Sequence, residues 1–321
     1  MGGMRRTVIA GAAIVGVTAC ALVVGTVSRA SSPAGTAAAP FVSGGPPPGT
    51  PLDHFICYSA KVPTSGGPKI PSPVRLQDEF ASQPETVAVQ IPNTVCAPAA
   101  KIHGVLAVFP IFQDIHLTCF RIVPPTTEVP HAVLVDNQFN PLSTAASGDQ
   151  RRPLTAYPTP ASSPVVNGYP ARSLCLPSHK SLDPAAPPPP RGDLSRVDHF
   201  DCYPAAPTVG AVQPAGLPAT VKIHDQFSPA GTFQTVVVGK VQQVCNPTVK
   251  IVDLPGGPVT TPVTHPELHL VCFAIARGGT VFPNLQNVYV DNQFNPLGTP
   301  RPLQLVKAVR LCAPSFKALV G

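Results

Sequence analysis

Apolar residues recur at every second position over short runs of this 321-residue chain. Val87, Val89 and Ile91 form one such run, and Val221 and Ile223 form part of another. A period of two is typical of a strand with one buried face. Asn-Pro, Asp-Asn and Gly-Gly dipeptides separate the runs as turns, and 44 prolines would interrupt long helices. The pattern predicts an all-β fold, a sandwich or barrel of short strands.

One set of motifs returns four times along the chain. Each copy, called a unit here, opens with His-x-x-Cys, continues through an apolar run ending in Asp-x-Phe or Asn-Gln-Phe, and closes with Cys-x-Pro-x-x-Lys. Units 1 to 4 open at His54, His116, His199 and His269 and close at Lys101, Lys180, Lys250 and Lys317. Such repetition predicts that each copy is one structural unit.

The spacing of the units predicts two homologous β domains, each an internal duplication. Units 1 and 2 form a first domain at 52–180, and units 3 and 4 form a second at 197–318. The proline-rich segment 181–196 reads as a semi-rigid linker, and the Ala/Pro/Gly segment 31–51 as a tether. We therefore expect little fixed contact between the two domains.

Residues 1–30 have the pattern of an export signal, with Arg5 and Arg6 before an uncharged apolar run. Three interpretations compete for this segment. It is a signal peptide cleaved after Ala30, an uncleaved membrane anchor, or a lipoprotein signal with Cys20 as the lipidated residue. All three place the remainder of the chain outside the cytoplasm.

Export to an oxidising compartment explains the cysteines of the four units as disulfides. They are Cys57, Cys96, Cys119, Cys175, Cys202, Cys245, Cys272 and Cys312. None of them forms the closely spaced pair that a structural zinc site requires. Four cysteines per domain allow three pairings. We expect pairing within each unit, because a unit this small needs a covalent staple, and the two between-unit patterns stay open.

The repeated polar residues have ordinary structural explanations that compete with functional ones. A histidine in every unit suggests a metal site, but each lies in a separate unit, which favours a half-buried histidine bonded to nearby backbone. The motif at 136–140 and its copy at 291–295 could offer oxygen ligands to calcium, yet a tight turn explains the same residues. No serine or cysteine has the surroundings of a nucleophile. The sequence thus predicts no catalytic residue, no metal and no cofactor.

Charge and aromatic content narrow the choice of partners. The formal net charge of +6 is scattered, aromatic residues make up 6% and tryptophan is absent, which argues against a nucleic-acid surface. The partner is unknown, with a protein or an envelope polymer as the candidates. Contact with a membrane is expected only through the N-terminal segment.

The series His-Phe-x-Cys-Tyr, Asp-Gln-Phe and Leu-Cys-x-Pro-x-x-Lys resembles a bacterial family of exported repeat domains of uncharacterised function. The resemblance implies export and a repeated β fold, and it brings no catalytic or ligand residues. This chain departs from the pattern at Glu79, where Gln is usual, and at Ala97, where Asn is usual.

The sequence therefore predicts a non-enzymatic, exported structural or binding module of the bacterial cell surface or extracellular space. One rival is a secreted hydrolase with its site between the domains. Another is a small-ligand or metal-binding module. An acid/base pair that breaks the repeat would favour the hydrolase.

Overall fold

A computed structural model describes nine stretches of the chain, namely 52–63, 73–123, 130–140, 153–157, 172–183, 191–208, 217–277, 287–294 and 301–320. The predicted signal or anchor at 1–30, Cys20 and the tether at 31–51 lie outside the described residues. The described helical structure is a single 3-10 helix at Arg191–Arg196, and no helix in these stretches could span a membrane.

Strands make up the rest of the regular structure, which confirms the all-β prediction. Units 1 and 2 contain β1 (Phe55–Lys61), β2 (Val74–Gln77), β3 (Glu85–Pro98), β4 (Ala100–His103), β5 (Leu106–Val108), β6 (His116–Val123), β7 (His131–Asp136), β8 (Leu154–Ala156) and β9 (Ser173–Ser181). Units 3 and 4 contain β10 (Phe200–Pro207), β11 (Ala219–His224), β12 (Gln234–Pro247), β13 (Val249–Leu254), β14 (Gly257–Thr261), β15 (His269–Arg277), β16 (Asn287–Asp291) and β17 (Arg301–Leu319).

Eight of these strands, called the ring strands here, close into a continuous antiparallel ring. They follow one another in chain order as β1, β3, β6, β9, β10, β12, β15 and β17. The ring closes where β17 pairs with β1, with Phe55 opposite Cys312. Each unit supplies two neighbouring ring strands. Closure removes the exposed strand edges that an open sheet of this size would have.

Both faces of the ring strands are buried around the cysteines, whereas β3 and β12 keep the predicted alternation of buried and more exposed residues in their first halves. In β1, Phe55 and Cys57 belong to the core inside the ring, whereas Ile56 and Tyr58 belong to a core on its outer face. The outer face is covered by the shorter strands, of which β2 contributes Val74 to a further outer core. The ring is therefore an inner layer wrapped by an outer one.

The outer strands join units that are two places apart. In unit 1, β2 pairs with its own β3 and also with β13 of unit 3. In the same way β7 of unit 2 pairs with β17 of unit 4, β11 of unit 3 with β4 of unit 1, and β16 of unit 4 with β9 of unit 2. Each of these pairings joins the first half of the chain to the second.

The disulfides lie inside the ring and pair the cysteines within units, as predicted. The bonds are Cys57–Cys96, Cys119–Cys175, Cys202–Cys245 and Cys272–Cys312. In each bond the two residues are directly opposite in neighbouring strands. Their Cα atoms are 3.9 Å apart, closer than the usual lower limit of about 4.4 Å. Neighbouring bonds touch, with Cys57 Sγ 3.5 Å from Cys312 Sγ and Cys175 Sγ 3.7 Å from Cys202 Sγ.

The prediction that 52–180 and 197–318 make little fixed contact is wrong. Ring strands from both halves pair at two seams, β9 with β10 and β17 with β1, and a single outer core contains residues of all four units. The described end of the expected linker is not a free spacer, because the 3-10 helix at Arg191–Arg196 packs Leu194 against the core inside the ring. Sequence periodicity indicates which face of a strand is buried, but it does not identify the neighbouring strand. It could therefore not predict that strands of the two halves pair with each other.

The four units make corresponding contacts, although their common origin stays a prediction. In β1–β3, Phe55 is opposite Pro98, and in β10–β12, Phe200 is opposite Pro247. The register of β6 on β9 likewise corresponds to that of β15 on β17, with Cys119 opposite Cys175 and Cys272 opposite Cys312.

We expect neither half of the chain to fold alone. A fragment of 52–183 leaves β9 without β10, and leaves β2 and β7 without β13 and β17. Each separate fragment should show poor amide dispersion in NMR spectra, and refolding the two fragments together should restore the spectrum of the intact chain. Calorimetry of the intact chain should show one unfolding transition. Native-like dispersion in either fragment alone would contradict this shared core.

Candidate functional site

The repeated histidines and lysines form four clusters, each built between neighbouring units. The histidine and lysine of one unit meet the Gln-Phe or Glu-Phe of the next. The clusters are His54 and Lys101 with Gln138 and Phe139, His116 and Lys180 with Gln226 and Phe227, His199 and Lys250 with Gln293 and Phe294, and His269 and Lys317 with Glu79 and Phe80. The fourth cluster joins the last unit to the first, so the series is circular.

In every cluster the lysine ammonium lies over the phenylalanine ring. The distance from Nζ to the ring centroid is 5.5 Å for Lys101, 4.3 Å for Lys180, 4.9 Å for Lys250 and 4.0 Å for Lys317. A cation is attracted to the ring face at such distances. Burial opposes the charge, however, and lowers the pKa of Lys101 and of Lys250 to about 7.

The histidines are buried rather than half-buried, which corrects that part of the prediction. The expected bonds to backbone are present in two units, where Nδ1 of His116 faces the carbonyl of Asp114 and Nδ1 of His269 faces that of Glu267. Burial lowers the pKa of His116 to about 3 and that of His269 to about 4, so both are neutral near pH 7. The described residues contain no group of three or more metal-ligating side chains.

The Asp-Phe and Asn-Phe motifs form tight turns closed by their own side chains. Oδ1 of Asn137 accepts hydrogen bonds from the backbone N–H groups of Phe139 and Asn140, at 2.9 and 3.1 Å. The first of these bonds recurs at Asp78, Asp225 and Asn292. These bonds confirm the turn interpretation and occupy side-chain oxygens that calcium would need.

The Asp-His pairs at 53–54 and 198–199 hold loops in place. The carboxylate of Asp53 accepts backbone hydrogen bonds from Ile111 and Phe112, and that of Asp198 accepts them from Thr264 and His265. Both carboxylates are therefore engaged by backbone and do not orient the adjacent histidine.

One of the four clusters differs from the others because it contains carboxylates. Glu79 stands where the other units have glutamine, and it contacts Lys317 as well as His269, whose Nε2 lies 2.8 Å from its Oε1. Lys317 Nζ also donates to Oδ1 of Asn246 at 2.6 Å, and Asn246 Nδ2 donates to Oδ2 of Asp78 at 2.8 Å. We call these five residues the acidic cluster.

The protonation of the acidic cluster follows from its hydrogen bonds. Nδ1 of His269 faces a carbonyl oxygen, which can only accept, so this nitrogen carries a proton. Nε2 then faces a Glu79 oxygen at hydrogen-bond distance, and one further proton must lie between the two atoms. The pair therefore holds a transferable proton next to the Lys317 amine.

Two cavities adjoin the clusters. One of about 240 Å³ is lined by residues that include Asp78, Glu79 and His269 of the acidic cluster. The other, of about 290 Å³, lies beside the 3-10 helix and is lined by residues that include Leu194, His199 and Gln293. The first has Asp78 and Glu79 in its wall, and the second combines apolar side chains with Asp198, a neutral histidine and an amide.

A separate buried ion-pair network joins the two halves. Arg172, just before β9, donates to both carboxylate oxygens of Asp201 in β10, at 3.0 and 2.7 Å, and also to Glu85 and to the Tyr203 hydroxyl. Burial raises the pKa of Asp201 to about 6, although Arg172 opposes the increase. The network ties neighbouring ring strands and has no carboxylate free for chemistry.

Comparison of the chain with protein-family models, with curated proteins and with solved structures found no match. The interpretation of the site therefore depends on its own geometry.

Sequence reasoning missed the acidic cluster, although two of its members depart from the repeat. Glu79 replaces a glutamine, and Asn246 stands where the other units have Ala97, Leu176 and Ala313. Both departures are visible in the aligned units. Their proximity is not, because they lie in units 1 and 3 and meet only through the pairing of β2 with β13.

The buried histidines predict a loss of stability in acid. The pKa of His116 and of His269 is lower in the folded chain than the ordinary value of 6.5, so their contribution is complete above about pH 6.5 and is lost as the pH falls. Between about pH 7 and pH 4, each of these two histidines should lower the free energy of unfolding by roughly 3 kcal/mol. Urea denaturation across this range measures the loss.

A matched pair of variants tests whether His116 causes the loss of stability at low pH. His116→Gln should make the stability curve flatter between about pH 7 and pH 4, because the unfolded chain no longer gains that proton. Thr118→Ser, a buried substitution in the same strand that removes no titrating group, should leave the slope unchanged. Equal slopes for His116→Gln and the unaltered chain would contradict this origin.

The Arg172 network predicts a large cost for loss of its cation. Arg172→Met leaves Asp201 and Glu85 buried without a partner and should cost about 3–5 kcal/mol in denaturant unfolding. Arg75→Met is the control, since Arg75 forms a surface pair with Asp253 that also joins the two halves. It should cost less than about 1 kcal/mol. Similar costs for both variants would show that burial does not govern the Arg172 network.

Proposed function

We propose that this chain is an exported, disulfide-stapled structural or binding module of the bacterial cell surface or extracellular space. The observation that carries the proposal is the ring of four disulfides inside the closed sheet. Disulfides form and persist in oxidising compartments and are rare in the cytoplasm. The export pattern at 1–30 and the resemblance to exported repeat domains agree with this location.

The interior of the ring supports a structural role for the cysteines. They line a space of only about 10 Å³, together with Leu117, Leu270, Gln243 and Arg310. A space of this size is at the limit for one water molecule and is far below that of a ligand cavity. Each bond also closes a loop of 39 to 56 residues, which by chain entropy stabilises the fold by about 4 kcal/mol.

One observation favours the rival hydrolase. The Glu79–His269 pair is an acid/base pair that breaks the repeat and lies beside the cavity of about 240 Å³ between the two halves of the chain. This cavity is smaller than the roughly 300–1,000 Å³ of ordinary ligand pockets. The Lys317 side chain next to the pair is completely buried. The arrangement therefore supports chemistry within the chain better than chemistry on a substrate from solution.

Thiol accessibility in the native compartment tests the proposal. The chain expressed from residue 1 in a bacterial host should be recovered in the envelope or medium. After denaturation its eight unit cysteines should not react with an alkylating reagent, because they are paired. A chain starting at residue 31 should stay in the cytoplasm with reactive thiols.

The result that overturns the proposal is an exported chain whose unit cysteines react fully. Turnover of ester, peptide or glycoside substrates by the purified chain, abolished by Glu79→Gln, would establish the hydrolase instead. Retention of the oxidised chain in the envelope fraction, without turnover, would support the structural or binding role.

A further inference from the structure

The acidic cluster places a buried amine and a buried carboxamide beside two partly exposed carboxyl groups. Nζ of Lys317 lies 2.6 Å from Oδ1 of Asn246, and the Asn246 amide nitrogen is held by Asp78 at 2.8 Å. Glu79 contacts the same amine. The Phe80 ring covers Nζ at 4.0 Å and separates it from water. Amine and carboxamide are thus preorganised at close range without solvent between them.

Burial also favours the reactive form of the amine. It lowers the pKa of Lys317 well below its ordinary value, with Asp78 opposing the decrease. A neutral amine has the free electron pair that attack on a carbonyl carbon requires. A charged lysine is unfavourable in this buried position because it has lost its hydration. Conversion of the amine to a neutral amide would remove that penalty.

This combination occurs once among the residues that the structure describes. Lys180, the equivalent of Lys317 in unit 2, also donates to a carboxamide oxygen, that of Gln226. The amide nitrogen of Gln226, however, faces His116 instead of a carboxyl group. Lys101 lies 3.0 Å from a histidine nitrogen. Only at Lys317 does a described carboxyl group contact the nitrogen that would have to leave.

We propose that Lys317 and Asn246 form an intramolecular isopeptide bond after the chain folds. The inference goes beyond the proposed function, since it assigns a covalent modification to the acidic cluster. It requires no oxidant, metal or second enzyme, because the reacting groups and the proton-transfer groups belong to the chain itself.

The reaction exchanges one C–N bond for another. The electron pair of Lys317 Nζ attacks Cγ of Asn246, and the carbonyl π electrons move to Oδ1. In the resulting adduct both nitrogens are bonded to Cγ, so the Asp78 carboxylate that contacts Nδ2 accepts the proton that Nζ loses and returns it to Nδ2, while Glu79 contacts Nζ. Oδ1 re-forms the carbonyl, the Cγ–Nδ2 bond breaks with its electrons on nitrogen, and ammonia leaves. The two carboxyl groups together keep their charge, and nothing is oxidised or reduced.

The bond would lock the strand that closes the ring. Lys317 lies in β17, which pairs with β1 at the closing seam, and Asn246 lies near the end of β12. The new amide would close a loop spanning 71 residues between these strands. Unlike the Cys272–Cys312 bond, which ties β17 to β15, it would survive reduction.

Intact-mass spectrometry of the folded, purified chain tests the proposal. After allowance for the hydrogens lost to the four disulfides, the mass should be lower than the sequence mass by one ammonia. After reduction and digestion, one cross-linked peptide should join Lys317 to Asn246. A mass without this loss, or a cross-link between other residues, overturns the proposal.

Variants separate the assigned roles. Lys317→Arg and Asn246→Ala should each restore the full mass, and after reduction both should migrate more slowly in denaturing gels than the unaltered chain. Asp78→Asn keeps both reacting groups and should also restore the full mass. Lys180→Arg is the matched control and should retain the ammonia loss.

Folding is checked separately, so that a misfolded variant does not count as support. Each variant must show all eight cysteines oxidised and the far-ultraviolet spectrum of the parent. If Asp78→Asn fails this check, the mass and cross-link of the unaltered chain still decide the proposal. Ammonia loss in folded Asp78→Asn would overturn the role of Asp78, and ammonia loss in folded Asn246→Ala would overturn the bond itself.

Discussion

The structure depends on outer strands that pair with strands of other units. The outer strands connect their own unit to another one, because β2 of unit 1 pairs with its own β3 and with β13 of unit 3, and β11 of unit 3 pairs with its own β12 and with β4 of unit 1. The buried outer face of the ring strands therefore exists only when four units are present and the ring is closed. This pairing between units explains how a chain of short strands and many prolines obtains an extensive core. The local propensity of each segment is weak, and the stabilisation comes from contacts that are distant in sequence.

The buried polar residues lie at the contacts between units. Each His–Lys pair meets a glutamine or glutamate of the following unit, and the Arg172 network joins β9 to β10 at a seam between the halves. A buried polar group without a hydrogen-bond partner would lower the stability of the fold. The contacts between units therefore favour the observed order of the units around the ring. The repeated histidine thus has a structural explanation that needs no metal, and the repeated lysine is explained by the phenylalanine ring beneath it.

Within the described part of the chain, the acidic cluster is the cluster whose composition differs from the other three. Three clusters offer neutral amides to their lysine and histidine, whereas the fourth offers Glu79, and Asn246 and Asp78 complete it. A contact between units that is purely structural needs only to give each buried polar group a hydrogen-bond partner. Two carboxyl groups, an amine and a carboxamide in mutual contact can also transfer protons and exchange an acyl bond, and the buried setting strengthens each electrostatic interaction.

The sequence by itself determined the all-β class and the turn at each Asp-Phe or Asn-Phe motif, and it favoured the pairing of cysteines within units that the structure shows. These features depend on residues close in the chain or on the small size of a unit that needs a staple. Only the tertiary structure decided that the two predicted domains are one closed ring, that the expected linker packs on it, and that Glu79 of unit 1 reaches His269 and Lys317 of unit 4. The physical reason is that alternation specifies the buried face of a strand, whereas the choice of its neighbour depends on contacts with other segments, some of them more than a hundred positions away, as in the pairing of β1 with β17.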